Sequence, residues 1–356
     1  MDSTSSSLII RDYRKGDEIQ INTLLDESYE NWAGSNYWEW MYSDSIHGHN
    51  IVVAEKDEKI IGCNHGIYLK ARIGETDYLV HFSNFAAVDR EHRRKGVYTR
   101  IVQRAFENAE QKVSFGYSFT RNPIIMNNPS LKIERKFFPR HFTVYTYVDD
   151  IDKHLKYFNS RFSFFKKHYH HITKKFNKIG IKNINKNIEI MSIRRFDDRF
   201  TDFHEVNKKR YNFIIEKNQK FLNWRYSDER SGGYEILTAE LDDKILGYLV
   251  YKINIIDKDY PYGMIIDLLS LPKEVEAEYL LIDKAIEELK TKGVNSVNFL
   301  VNNGNPVIET LKKIGFIDLK RRQFITYVTK ITKKDETLLM KSPSKKIHLT
   351  YGDVFA

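Results

Sequence analysis

Three cations and a glycine stand together at Arg93-Arg94-Lys95-Gly96. Before them lies Tyr78–Val88, an apolar and aromatic stretch that suits a β-strand. After them Val97, Ile101, Val102, Ala105, Phe106 and Ala109 recur at helical spacing. A helix starting at Val97 leaves its first N–H groups without intrahelical acceptors and turns the positive end of its dipole toward the basic turn. A glycine at that point lets a bulky anion approach the backbone. The chemistry this arrangement suits is the cradling of a pyrophosphate.

The elements that must position this turn occur twice. Trp40-Met-Tyr42-Ser-Asp44 returns as Trp224-Arg-Tyr226-Ser-Asp228, and a glycine follows four residues on in each copy, Gly48 and Gly232. Both copies then run into two apolar stretches around a polar turn. The first is 50–62, around Lys-Asp-Glu-Lys; the second is 234–247, around Leu-Asp-Asp-Lys. Both read as β-hairpins. Asn128-Pro129 and the stretch to Phe138 parallel Asn305-Pro306 and the stretch to Phe316. The offset of 184–185 residues is far longer than a solenoid repeat, so it implies two copies of one domain. In the second copy the basic turn is replaced by Leu271-Pro-Lys-Glu-Val-Glu-Ala-Glu278, which has no glycine and carries carboxylates where an anion would sit. The second copy is therefore expected to hold no such anion.

Val88-x-x-x-x-Arg93-x-x-Gly96-x-Tyr98 resembles the phosphate-loop signature of the GCN5-related N-acetyltransferases, the GNAT superfamily, with Tyr98 where Gly or Ala is usual. The tandem arrangement resembles a bacterial and archaeal group of two-domain GNAT proteins. The resemblance implies an α+β fold of two GNAT-like domains, each a mixed, mostly antiparallel sheet flanked by helices. The expected partition is a donor-binding domain at 1–150, a connector at 151–188, a degenerate GNAT-like domain at 189–335 and a C-terminal tail or strand at 336–356. It further implies an acyl-coenzyme A donor, acetyl-coenzyme A in the first place, and transfer to a primary amine of a small molecule.

By the same resemblance, Ala86, Ala87 and Val88 run along the thioester and pantetheine arm. Arg93, Arg94, Lys95, Gly96, Val97 and Tyr98 form the phosphate loop, and Asn122 is a further coenzyme contact. Backbone donors on the strand before the loop would stabilise an oxyanion, an effect worth ~2.7–4 kcal/mol. That strand has no carboxylate; its polar residues are His81, Ser83 and Asn84. His81 suits general-base work. Asn84 or Ser83 would hold a water or substrate, and Glu134 is the nearest carboxylate. Tyr117 is the tyrosine nearest to where the family places its acid. The tail Ile347–Asp353 resembles the Gly-Asp ending of the two-domain group and is expected to close over a site between the domains.

Composition sets the outer bounds. A chain of 356 residues with 41% hydrophobic residues suits two folded domains. It shows no apolar run of membrane-spanning length and no signal-peptide pattern, and its single cysteine, Cys63, cannot form an internal disulfide; a cytoplasmic location is expected. The net charge of +9 is concentrated in 153–188, which has ten Lys or Arg residues, no Asp or Glu, and interleaved aromatics. A helical connector packed on both domains, a nucleic-acid or anionic-lipid patch, and a steering field for an anionic substrate all fit that segment. His168, His170 and His171 lack metal-ligand spacing, and no metal is expected. Two other functions fit paired GNAT domains: an aminoacyl-tRNA-dependent transferase, and a non-catalytic binding protein. Acceptor identity and oligomeric state are not encoded in these patterns.

Overall fold

The computed structural model describes residues 7–30, 32–119, 136–137, 142–158, 185, 187–255, 259–323 and 325–354. The expected sites Asn122 and Glu134, and most of the basic connector with His168, His170 and His171, lie outside the described residues.

The first half runs β1 (Ile9–Asp12), α1 (Glu18–Ser28), α2 (Gly34–Trp38), β2 (His49–Lys56), β3 (Lys59–Ile73), β4 (Thr76–Val88), α3 (Val97–Glu110), β5 (Phe115–Phe119), β6 (Lys136–Phe137), β7 (Phe142–Val148) and α4 (Ile151–Tyr157). The second runs β8 (Glu189–Ile193), α5 (Arg199–Lys208), β9 (Phe213–Ile215), α6 (Gln219–Leu222), β10 (Glu235–Leu241), β11 (Lys244–Asn254), β12 (Tyr262–Ser270), α7 (Val275–Thr291), β13 (Ser296–Asn302), α8 (Val307–Ile314), β14 (Ile317–Gln323) and β15 (Ile325–Thr329). The chain closes with α9 (Lys333–Lys341), β16 (Ile347–His348) and α10 (Tyr351–Val354).

The repeat is visible down to single torsions. The β2–β3 turn places Asp57 and Glu58 at φ 51° and 60°, and the β10–β11 turn places Asp242 and Asp243 at 50° and 61°. These are two-residue hairpin turns with both central residues left-handed, the twist-matched type. Each hairpin carries a bulge at the same point, between Ala54 and Glu55 and between Ala239 and Glu240.

The sheets cross the partition expected from sequence. One has the order β1-β2-β3-β4-β5-β15-β6, with β9 added on β3 and β16 on β9. The other has the order β14-β7-β13-β12-β11-β10-β8. Strand β7, from the first half, lies antiparallel to β13, while β15, from the second half, lies antiparallel to β5. Each half thus gives a strand to the other's sheet. An apolar alternating strand is compatible with either sheet, because the two receiving edges are copies of one another.

The same twofold relation explains the repeated tryptophans. Trp40 and Trp224 sit in single π-helical turns, Glu39–Ser43 and Asn223–Ser227. Their rings stack at 5.1 Å and 24°. Trp40 Nε1 donates to the Trp224 carbonyl at 2.7 Å, and Trp224 Nε1 to the Trp40 carbonyl at 3.4 Å. Two residues one repeat apart exchanging the same bond lie on a local dyad. One continuous core, including Trp40, Tyr42, Phe213, Tyr226 and Tyr248, joins both halves.

The C-terminal segment is not a cover. Only Ile347–His348 is strand, and Tyr351–Val354 is a buried helical turn between the sheets. The Tyr117 hydroxyl donates to the Asp353 carbonyl at 2.9 Å, and Arg225 Nε to the Gly352 carbonyl at 3.1 Å.

Candidate functional site

The basic turn is held by its own side chains. Asp89 accepts from the Glu91 amide at 3.0 Å and approaches His92 Nδ1 at 2.8 Å, and Arg93 Nε donates to the Val88 carbonyl at 3.0 Å. Arg94 then takes φ 62° and Gly96 φ 77°, and α3 begins at Val97. A Cβ on Gly96 would meet nothing within 4 Å, so open space lies over the turn. Arg93, Arg94, Lys95 and Gly96 are exposed. Tyr98, the departure from the family pattern, is half-buried with Leu8 and Ile10 against Val88, Val97 and Ile101. Its ring packs into this apolar cluster.

Behind the turn, β4 parts from β5. Among the described residues the two pair only at His81–Gly116, Phe82–Tyr117 and Ser83–Ser118. Strand β4 stays on β3 as far as Val88, with a bulge opposite His65. Beyond Ser83 its outer edge is therefore unpaired by any described strand, and the Ala86 backbone there meets a side chain instead. Tyr29 Oη donates to the Ala86 carbonyl at 2.9 Å and receives the Ala86 N–H at 3.4 Å. Tyr29 comes from the end of α1 and rests edge-on against Phe85 at 5.4 Å. Ala87 and Val88 are buried opposite Cys63 and Gly62.

Two parallel strands that splay beyond Ser83 are thus followed by a helix whose start carries three exposed cations. Residues 9–124 match the model of the acetyltransferase (GNAT) domain. The chain has a tandem GNAT fold. It is similar to a GCN5-related N-acetyltransferase from Anabaena variabilis (TM-score 0.62, 11% identity, covering 90% of this chain and 72% of that one). It is also similar to a tandem GNAT protein from the clavulanic acid biosynthesis pathway (0.58, 12%, 92% and 100%). A third similar structure is Saccharomyces cerevisiae N-myristoyltransferase with bound myristoyl-CoA (0.60, 13%, 100% and 86%). No curated protein matches the chain in sequence.

The two GNAT units treat the same helix end differently. In the second, Lys273 takes φ 73° and α7 begins at Val275 with Glu276 and Glu278 in its first turn. Glu278 accepts from Ser270 Oγ at 2.6 Å, and burial raises its carboxyl pKa. The dipole of α7 is thus compensated by its own carboxylates, whereas that of α3 has no acidic residue in its first turn.

The residues expected to move protons are placed apart. His81 is buried over Gly66, where a Cβ would lie 2.1 Å from Nε2, and Nε2 receives Asn50 Nδ2 at 3.3 Å. Burial lowers its pKa to about 4, so it is neutral at pH 7, but the lone pair a base would use is already engaged. His81 and Ser83 line a cavity on the α3 side together with Val102, Phe106 and Thr326. Tyr117 is 2% exposed and stacked on Phe82 at 4.9 Å. Its hydroxyl is spent on Asp353, and burial raises its pKa well above the ordinary phenol value. Its engagement at the junction with the tail takes Tyr117 out of the acid role expected from sequence. Asn84 stands at the bulge, its Oδ1 accepting from Tyr42 Oη at 3.1 Å and from the Phe85 amide at 2.9 Å.

Two groups at the slot gave no sequence signal. Tyr29 lies in no motif. His65 is fully buried on β3, with Nε2 accepting from Trp38 Nε1 at 3.1 Å and Nδ1 near the Phe85 carbonyl at 3.3 Å, so it ties α2 to the bulge. Burial lowers the His65 pKa to about 3, with the Phe85 bond opposing.

Both histidines titrate near 6.5 when unfolded and far lower when folded. Their neutral forms are the folded forms, so their contribution is complete above pH 6.5 and is lost as pH falls toward 4 and 3. A tenfold difference in proton affinity between the two states corresponds to about 1.4 kcal/mol. Melting temperature is expected to fall steadily from pH 6.5 to 4. His65→Gln, whose amide can still accept from Trp38 and donate to Phe85, should flatten that slope; an unchanged slope would place the acid sensitivity elsewhere.

Proposed function

We propose that this protein is an acyl-coenzyme A-dependent N-acyltransferase, with acetyl-coenzyme A as donor and a primary amine of a small molecule as acceptor. The observation that carries the reading is the exposed Arg93–Gly96 turn at the start of α3, directly after the point where β4 leaves β5. Arg94, Lys95 and the amides at the helix start would hold the pyrophosphate, and Arg93 keeps the turn in shape through Val88. The pantetheine arm would enter along the open edge of β4. The Ala86 N–H would then polarise the thioester carbonyl, a role for which a fixed backbone donor costs no reorganisation. The neutral amine nitrogen attacks that carbon, the C–N bond forms and the C–S bond breaks, and the proton shed by the nitrogen passes through water to the departing thiolate, so that an amide and a free thiol result.

The direct test is calorimetric titration of acetyl-coenzyme A into the full chain at low and high salt. One site of micromolar affinity that weakens with salt supports the reading, because the turn acts through exposed cations. Absence of binding refutes it.

Tyr29 makes a second measurement informative. Its hydroxyl accepts from the Ala86 N–H at 3.4 Å and donates to the Ala86 carbonyl at 2.9 Å, so a donor that uses that N–H must displace it on entry. A neutral hydrogen bond is worth about 0.5–1.5 kcal/mol net. Tyr29→Phe is therefore expected to bind acetyl-coenzyme A about 2- to 10-fold more tightly. Weaker binding would mean that the hydroxyl serves the bound donor rather than the empty slot.

A further inference from the structure

Beside the slot, two polar groups are buried without a partner: Asn84 Nδ2 and the Tyr37 hydroxyl. The Asn84 amide cannot be turned around to explain this away. Its Oδ1 receives two donors, the Tyr42 hydroxyl and the Phe85 amide, and a backbone N–H can only donate. The orphan is therefore the NH2 group, a donor. Tyr37 is 7% exposed, and burial holds its phenol far above its ordinary pKa, so it too keeps a proton to give. Tyr42 links them: its hydroxyl donates to Asn84, and Tyr37 is among the groups that, after burial, raise the Tyr42 pKa. A buried bond left unmade forfeits the full solvation of its group, and native proteins keep few of them.

The surroundings say what would satisfy the two donors. Trp32 lies 5.7 Å from the Tyr37 ring and 5.1 Å from Phe85, so the walls are aromatic. The Arg225 guanidinium, 3% exposed and 5.5 Å from the Trp40 ring, adds positive potential next to Tyr37, whose ring is 5.2 Å from the same Trp40. Two donors in a positive, apolar-walled place call for an oxygen that accepts, neutral or anionic. Phe85 and Ala86 follow Asn84 directly, so that oxygen would lie a few ångströms from the acyl carbon of a donor on Ala86.

We infer that Tyr37 and Asn84 recognise the acceptor through a carbonyl or carboxylate oxygen carried next to its amine, which makes the acceptor an α-amino acid or its amide. The inference rests on the acyltransferase reading above and deepens it by naming the substrate class.

The test uses the full chain, acetyl-coenzyme A, and a panel of α-amino acid amides, each paired with the same amine lacking the carboxamide, for instance phenylalaninamide and 2-phenylethylamine. Thiol release reports turnover. The expected result is at least one pair in which kcat/KM favours the amide 10-fold or more, with the ratio falling to about 2 or less in Tyr37→Phe. That variant should melt no lower than wild type, since no hydrogen bond of Tyr37 is lost; a lower melting temperature would mark the hydroxyl as structural and overturn the inference. Equal use of both members of every pair, a ratio unchanged in Tyr37→Phe, or thiol release with neither member despite acetyl-coenzyme A binding would also overturn it. Failure to bind acetyl-coenzyme A would instead remove the reading beneath it.

Discussion

Lys217→Met is expected to destabilise the protein by about 3–5 kcal/mol, the cost of removing one partner from a buried ion pair. Lys217 and Asp267 are fully buried and Asp353 is 3% exposed. Lys217 Nζ reaches Asp267 Oδ2 at 2.9 Å and Asp353 Oδ1 at 2.5 Å. Burial opposes the ammonium charge, but the two carboxylates outweigh it and the lysine pKa is raised. Asp267 is further held by the hydroxyls of Tyr226, Tyr248 and Thr350 at 2.9, 3.0 and 3.1 Å. Methionine fills most of the volume yet leaves two carboxylates facing each other in the core. Of a typical stability of 5–15 kcal/mol this is a large share. The melting temperature should drop by on the order of 10 °C. Adding Asp353→Asn and Asp267→Asn should restore part of the loss, because neutral amides can use the remaining hydroxyls. A loss under about 1 kcal/mol in the single variant would show that the lysine contributes packing only.

The network has a positional consequence. Asp353 belongs to α10, which the Tyr117 hydroxyl holds from the first sheet while Lys217 and Arg225 hold it from the second half. The tail is therefore a shared core element of both GNAT units.

Gly96→Glu is the second large effect: acetyl-coenzyme A affinity is expected to fall 100-fold or more while the fold persists. At φ 77° a non-glycine residue carries a strain of ~1–2 kcal/mol. No neighbour stands within 4 Å of the new Cβ, so nothing else must shift. The carboxylate would sit at the start of α3, where the dipole and Arg94 and Lys95 attract it, and would compete with the pyrophosphate for the same groups. Gly96→Asn separates charge from conformation, because Asn tolerates the left-handed region; it should keep binding within about 10-fold. Val275→Glu, at the corresponding helix start of the second unit, should change affinity by less than 2-fold. Calorimetry on the three variants decides. Loss of binding in Val275→Glu with retention in Gly96→Glu would reverse the assignment of donor and non-donor domains.

Local chemistry carried much of what the sequence revealed. The hairpins at 50–62 and 234–247 were legible because Asp-Glu and Asp-Asp between alternating apolar residues suit a left-handed two-residue turn, and that is what forms. The turn at Arg93–Gly96 was legible because strand, cations, glycine and helix follow one another within twenty residues. The Trp-x-Tyr repeat announced a duplicated domain, and its reading as a structural element agrees with the Trp40–Trp224 stack.

What escaped was nonlocal. Tyr29 reaches Ala86 across 57 residues, and Tyr117 reaches Asp353 across 236. No spacing rule marks either, so Tyr117 looked like an acid and Tyr29 like nothing. His81 met the chemical requirement for a base, but whether its lone pair was open depended on Asn50, a residue of another strand. The exchange of β7 and β15 was invisible for a deeper reason: the repeat makes both sheets offer nearly the same edge. By itself the sequence determined two copies of one domain, their hairpins and the single basic turn, because periodicity, turn torsions and local charge are set by near neighbours. Only the tertiary structure decided which sheet each terminal strand joins and which polar groups are left unsatisfied at the slot, because strand pairing and burial are settled between residues tens to hundreds of positions apart.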